Sequence, residues 1–189
     1  MPTLSESPKR MPWLVLAAAL AAYWLLTFAL ALQGMQKTDG LLIYALDDTY
    51  IHMAISRHFV QEGAWSVHAG SAFTSTTSSP LWTLLLSIVY ALFGISDLAP
   101  LWLNLIFGSA ALGLAAWLLR RARPLALTCY LLMLIFFMPL PAITLVGMEH
   151  TLHTWLTLWL IFAAARLVAA DAPPSPRQLA GVLLLAALT

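Results

Sequence analysis

The sequence predicts an all-α, multi-pass membrane protein, and three observations carry that expectation. Apolar residues make up 61% of the 189-residue chain and charged residues only 9%. A soluble domain carries roughly 25% charged residues, so there is too little polar surface here to face water on all sides. The apolar residues fall in long runs, 13–33, Leu98–Leu119, Leu125–Val146 and Leu152–Ala170, each near the roughly 20 residues that cross about 30 Å of hydrocarbon. Trp is abundant and dispersed, as suits side chains anchored at membrane interfaces. The net charge of +1 gives no reason to expect a nucleic-acid partner, and the single Cys129 cannot form an internal disulfide.

Residues 1–12 read as a polar cytoplasmic N-terminus, with Lys9 and Arg10 just before the first apolar run. That run is longer than the roughly 7–15 residues of a signal-peptide core. It is expected to be an uncleaved first transmembrane helix, 13–33.

An external loop is expected over 34–97. It holds a dense set of titratable side chains, among them Asp39, Asp47, Asp48, His52, Arg57, His58, Glu62 and His68. Thr49 to Glu62 reads as an amphipathic helix, 49–62, because Ile51, Ile55 and Phe59 recur at helical spacing with Ala54 beside them. Asp48 suits its N-cap and Gly63 its stop. The apolar stripe is expected to face lipid or protein, with His52, Ser56 and Gln61 away from it. Gly70 to Ser79 is a Ser/Thr-rich turn. The apolar segment 80–94 measures about 22 Å as a helix, short of the hydrocarbon core.

Charge decides whether 80–94 spans. Basic loops stay on the cytoplasmic side, so Lys9-Arg10 and the cluster Arg120-Arg121-Ala122-Arg123 share that side. The run 13–33 and Leu98–Leu119 already give the even number of crossings this needs. Residues 80–94 are therefore expected as a second external helix, with further transmembrane helices over 98–189. The same count places Gly147-Met148-Glu149-His150 outside, facing Asp47-Asp48, and Arg166 and Arg177 inside. Pro139 and Pro141 fit a helix ending as it leaves the membrane. The stretch Asp171 to Pro176 reads as a tight cytoplasmic connector. The apolar run Leu179–Thr189 is too short to span, so the chain is expected to be the N-terminal portion of a longer protein.

Asp47-Asp48 is the strongest chemical signal. Adjacent carboxylates beside a membrane repel and are desolvated. Asp48 has a structural explanation as a helix N-cap; Asp47 has none, and its functional reading is a carboxylate that activates a hydroxyl or holds a cation. Glu149 either favours the N-terminal dipole of the next helix or serves as a second carboxylate near Asp47. His150 and His153 lack the spacing of known zinc sites. Arg57 either binds a phosphate or is a snorkelling interfacial cation.

The stretch Asp47-Asp48-Thr49-Tyr50-Ile51-His52, followed by Ala54, Arg57 and Gly63, resembles the first external loop of the GT-C glycosyltransferases, multi-pass enzymes that use polyprenyl-phosphate sugars. Thr77-Ser78-Ser79-Pro80-Leu81-Trp82 resembles the segment that follows in arabinofuranosyltransferase-like bacterial members, and Gly147-Met148-Glu149-His150-Thr151 their later external loop. The resemblance implies a GT-C transmembrane core with external juxtamembrane helices in a bacterial plasma membrane. It implies Asp47 as the catalytic carboxylate, taking a proton from the acceptor hydroxyl while the sugar leaves a lipid phosphate with inversion. Asp48 and Glu149 would bind the acceptor or a divalent cation, and Arg57 the donor phosphate. Metal dependence stays open, with Asp47, Asp48 and Glu149 as the side chains available to a magnesium or manganese ion. The implied partners are a polyprenyl-phosphate-linked sugar donor, membrane lipid, and a glycan, lipid or protein acceptor. Two positions depart from that pattern: His58 stands where bacterial members usually have Asn, and the Asn-Pro-Gly-Glu-like segment is reduced to His68-Ala69-Gly70. The alternatives are a lipid-carrier flippase or transporter subunit, and a non-catalytic assembly subunit.

Overall fold

The computed structural model describes residues 11–170, 173 and 175–188. The start of the N-terminal segment, with Lys9 and Arg10, lies outside them, as do Asp171, Ala172 and Pro174 of the connector and Thr189 at the chain's end. Among the described residues every regular element is a helix, and the single β-bridge joins Trp65 to Phe73.

Helix α1 is Met11–Met35, about 37 Å long at 1.5 Å per residue. Its apolar residues surround it, but only one stripe is buried: Ala19, Tyr23, Thr27 and Ala31, each four positions apart. Trp13, Leu14, Leu25 and Leu32 point outward, an exposed apolar surface that calls for lipid. Helices α4, Ala99–Leu118, and α7, His150–Val168, are also long and apolar enough to cross a membrane.

The fourth apolar segment is not one continuous span. It comprises α5, Pro124–Leu132, a π-helical turn at Met133–Phe137 and α6, Leu140–Val146, with a 41° bend between the parts. The prolines therefore interrupt the segment and two further turns follow them. Pro139 and Pro141 have no N–H to give to the preceding turn, and each restricts the residue before it. The chain thus has three helices long enough to span, or four with the bent pair counted as one.

Two shorter helices lie between α1 and α4. Helix α2 is Asp47–Glu62 and α3 is Pro80–Phe93. A last helix, α8, Pro176–Leu188, packs against α7. Helix α2 starts two residues before Thr49, with Leu46 rather than Asp48 at the N-cap position. Gly63 ends it in the left-handed conformation, φ 67°, giving its N–H to Phe59 O. The buried face also differs from the apolar stripe. Thr49, His52, Met53, Ile55 and Ser56 are buried, while Phe59 is exposed. Polar residues one helical turn apart thus face α3, and part of the apolar stripe faces out.

One core cluster joins α1, α4, α5 and α6 around Tyr23, Leu105, Leu112, Leu127, Leu131 and Ile135. A second joins α3 to α4 and α7 through Trp82, Leu86, Tyr90, Ala99, Leu152 and Leu156. Polar pins fix the register. The Tyr23 hydroxyl lies 2.7 Å from Thr144 Oγ1 and donates to Asn104 O at 3.2 Å. Thr151 donates to Asn104 Oδ1 at 2.6 Å. These contacts join the middle of α1 to α4 and the end of α6, and the start of α7 to α4, while Phe28 against Trp102 brings the C-terminal part of α1 to the same side. Arg120, Arg121 and Arg123, after α4, and Arg166, near the end of α7, lie at the other side. There Arg120 packs on the Trp117 ring and Arg166 on the Phe162 ring, 4.6 and 5.9 Å from the ring centres.

Candidate functional site at the polar end of the bundle

The stretch after α1 is anchored by Tyr44. Its buried hydroxyl donates to Asp97 O at 2.6 Å and accepts from Leu101 N at 3.2 Å, which ties the approach to α2 onto the start of α4. Burial raises the Tyr44 phenol above its usual range, so it stays a neutral donor. The Tyr44 N–H donates to the Tyr50 hydroxyl at 2.9 Å.

The start of α2 is pinned to the end of α6. Thr49 donates to Val146 O at 2.7 Å. Gly147, next in the chain, has φ 81°, and a Cβ there would lie 2.5 Å from Tyr44 Cδ1 and 2.6 Å from Thr49 Cγ2. Only glycine satisfies both the backbone angle and this close approach. The turn before α7 therefore rests on the residues that present the acidic pair.

Asp47 and Asp48 are both exposed in the first turn of α2. There a carboxylate is favoured by the helix dipole and the free N–H groups. Asp47 does have a local structural role, since its Oδ1 accepts the Asp48 N–H at 3.1 Å.

Beneath the pair lies a buried polar cluster. His52 Nδ1 is 2.8 Å from Thr83 Oγ1 and 3.0 Å from Thr77 Oγ1, and the two hydroxyls are 2.9 Å apart. Ser56 and Ser87 both donate to Thr83 O at 2.8 Å. On the other side of the ring, His52 Nε2 is 3.7 Å from Glu149 Oε2 and 3.5 Å from Ser78 Oγ. Burial holds the His52 imidazole below the usual 6.5, while Glu149 and then Asp48 pull the other way. Asp48 is therefore within electrostatic range of this ring.

Glu149 occupies the N-cap position of α7, but its side chain caps nothing. It points inward, is buried, and its Oε2 has no hydrogen-bond partner. Trp82 Nε1 and Tyr90 Oη, on the inner face of α3, are the other buried side-chain atoms without a partner among the described residues.

The sequence-derived site residues thus divide. Asp47, Asp48 and Glu149 gather at one end of the bundle. Arg57 is exposed and ten positions along α2 from Asp47, about 15 Å along the axis, so the fold does not set it beside Asp47. Its charge is felt instead by Tyr90. Among the described residues no three His, Cys, Asp or Glu side chains form a group that could hold a metal ion. Asp47, Asp48 and Glu149 are therefore not an assembled cage for magnesium or manganese.

Sequence reasoning passed over His52, Thr77 and Thr83. The signal was present in the spacing: Thr49, His52 and Ser56 fall on one face of α2, and Ser79, Thr83 and Ser87 on one face of α3. Two matched stripes of small polar residues are what a hydrogen-bonded helix seam in an apolar setting requires. Comparison with protein-family models, with curated proteins and with solved structures finds no match to this chain.

Proposed function

We propose that this chain belongs to an integral membrane glycosyltransferase of the GT-C kind, moving a sugar from a polyprenyl-phosphate donor to a cell-envelope acceptor. One observation supports the reading above others. The segments 47–52, 77–82 and 147–151, which separately carry the resemblance, meet at one end of the bundle, where His52 lies against Thr77 and Glu149. The distribution of charge supports the orientation. The described acidic residues Asp39, Asp47, Asp48, Glu62, Asp97 and Glu149 accompany this end, and most described arginines the opposite one, which by the positive-inside rule is cytoplasmic.

In this reading the Asp47 oxygen that is free of Asp48 accepts the proton of the acceptor hydroxyl. The acceptor oxygen forms its bond to the anomeric carbon as the bond from that carbon to the lipid phosphate breaks, on the opposite face. The sugar inverts and the lipid phosphate leaves. Asp48 receives other hydroxyls of the acceptor. The donor's apolar tail has a place in the groove of about 370 Å³ between α3 and α4, lined by Val89, Phe93, Trp102, Leu103 and Ile106. Arg57 serves the donor phosphate only on its approach, given its distance along α2.

The test is transfer from labelled polyprenyl-phosphate sugars by the full-length gene product in membranes, wild type against Asp47→Asn at matched expression. Loss of a general base lowers the rate by roughly 10²–10⁴-fold. Transfer that survives the substitution removes Asp47 from the chemistry and turns attention to Asp48 and Glu149. A wild type inactive with every donor favours the transporter or assembly alternative.

A further inference from the structure

His52 and Glu149 come from distant segments, and each is enclosed: His52 is 1% exposed and the Glu149 side chain 8%. A buried carboxylate oxygen without a donor is costly, and one kept in a native fold calls for a reason. The nearest donor site to it in the described ion pairs is His52 Nε2, at 3.7 Å.

The carboxylate beside Nε2 selects the tautomer of the ring. A hydrogen on Nε2 faces Glu149 Oε2, whereas the opposite tautomer would turn a lone pair toward the carboxylate. Nδ1 can then accept from Thr77 at 3.0 Å, while the Thr83 hydroxyl, 2.8 Å from Nδ1, donates to Ser79 O at 3.1 Å. The imidazole thus bridges the two turns, hydrogen-bonded to the hydroxyls of the Ser/Thr turn before α3 and turned toward the carboxylate before α7, 3.7 Å away.

We propose that His52 is a positioning residue: through Nε2 it aims the Glu149 carboxylate, and through Nδ1 it holds the Thr77–Thr83 hydroxyl pair, so that both turns keep one geometry beside Asp47 and Asp48. The proposal rests on the glycosyl-transfer reading. A seam needed only for packing would be served by apolar side chains of the same volume, without the cost of a buried carboxylate. Orientation of a working group by a buried partner is what such a couple supplies.

The experiment uses the full-length gene product in liposomes, with a polyprenyl-phosphate sugar as donor, and reads kcat, KM and the melting temperature. His52→Leu should lower kcat by about 10-fold or more with the donor KM within about twofold, because aim is lost rather than donor binding. His52→Gln, whose amide keeps a donor near Glu149, should recover most of the rate. The double variant His52→Leu/Glu149→Gln should be no slower than the slower single variant, since both break the same couple. A His52→Leu enzyme at full rate overturns the proposal, as do losses that multiply in the double variant or a Gln variant as slow as Leu. If His52→Leu does not fold, the Gln variant and Glu149→Gln still decide: a slow Gln variant that melts like wild type rejects rescue. A wild type without transfer rejects the glycosyl-transfer reading itself, and the role of His52 with it. An active wild type with an unimpaired His52→Leu rejects the role of His52 alone.

Discussion

The Tyr23 and His52 side chains are both fully enclosed, yet they are held in different ways. Tyr23 sits among Leu105, Leu112, Leu127 and Leu131, and its hydroxyl is a single polar pin to Thr144 and Asn104. His52 sits among hydroxyls and a carboxylate. Shape fixes the first cluster: small residues let helices approach, and dispersion over close contact supplies the cohesion in lipid. Partner identity fixes the second, because each buried polar atom needs one particular neighbour. The first should respond to volume and ignore pH. The second should respond to isosteric loss of a hydroxyl and to pH.

The largest effect is expected where shape and backbone act together, at the border between the clusters. Gly147→Val would force a branched side chain to φ 81° and drive its Cβ into Tyr44 and Thr49. Strained φ and overpacking together should cost about 3 kcal/mol or more, read as a large fall in melting temperature. Transfer should fall further than stability alone explains, since Thr49 carries the start of α2. A variant that melts near wild type would mean that the 147–149 turn is not seated on α2 as described.

Gly108→Ala tests the shape-held cluster alone, since Gly108 has no unusual backbone angle. Its Cβ would collide with the Tyr23 hydroxyl, which must then leave Thr144 and Asn104. A cost of about 2 kcal/mol follows from overpacking plus a displaced hydrogen bond. Unfolding titrations at two pH values should give the same cost at both. A pH-dependent cost would erase the contrast between the clusters.

Hydropathy and charge made the bundle legible because run length and composition determine which helices can cross a membrane. The broken fourth segment was only half legible: Pro139 and Pro141 announced a discontinuity, but nothing local fixes a π-turn at Met133–Phe137 or two more turns after it. In the site, the Asp47-Asp48 pair and Glu149 stood out as charges in an apolar sequence. His52 did not. Its burial depends on Thr77 and Thr83 arriving from another helix and turn, so α2 alone offers an apolar stripe through Ile51, Ile55 and Phe59 that looks like the better buried face. Tertiary partners turned the buried face so that it keeps Ile55, takes in His52 and Ser56 and leaves Phe59 out, since an unpaired buried imidazole is costly and a paired one is far less so.

Thr83→Val keeps the volume and removes the hydroxyl, so it probes the partner-held cluster without touching shape. His52 Nδ1 keeps only Thr77, and Thr77 loses its neighbour. The expected cost is about 1.5 kcal/mol. Thr83→Ser, which retains the hydroxyl and loses one methyl, should recover most of it. Equal losses in the two variants would show that the methyl rather than the hydroxyl matters at this position.

The smallest effect is the pH response of the same cluster, and its sign is fixed. Burial lowers the His52 value below 6.5, against the pull of Glu149 and Asp48. Below 6.5 the unfolded chain takes up a proton that the folded chain resists. The unfolded state then binds more protons, and stability rises with pH across that window. The contribution is therefore present above 6.5 and is lost as the pH falls toward the lowered folded value. One proton gives at most about 1.4 kcal/mol per pH unit, so melting between pH 7.5 and 5.5 should show a modest fall. His52→Gln should flatten it, whereas Gly108→Ala should leave it in place. A slope that persists in the Gln variant would assign it to other groups at this end. A slope of opposite sign would mean that Glu149 outweighs burial and that the folded protein holds His52 charged.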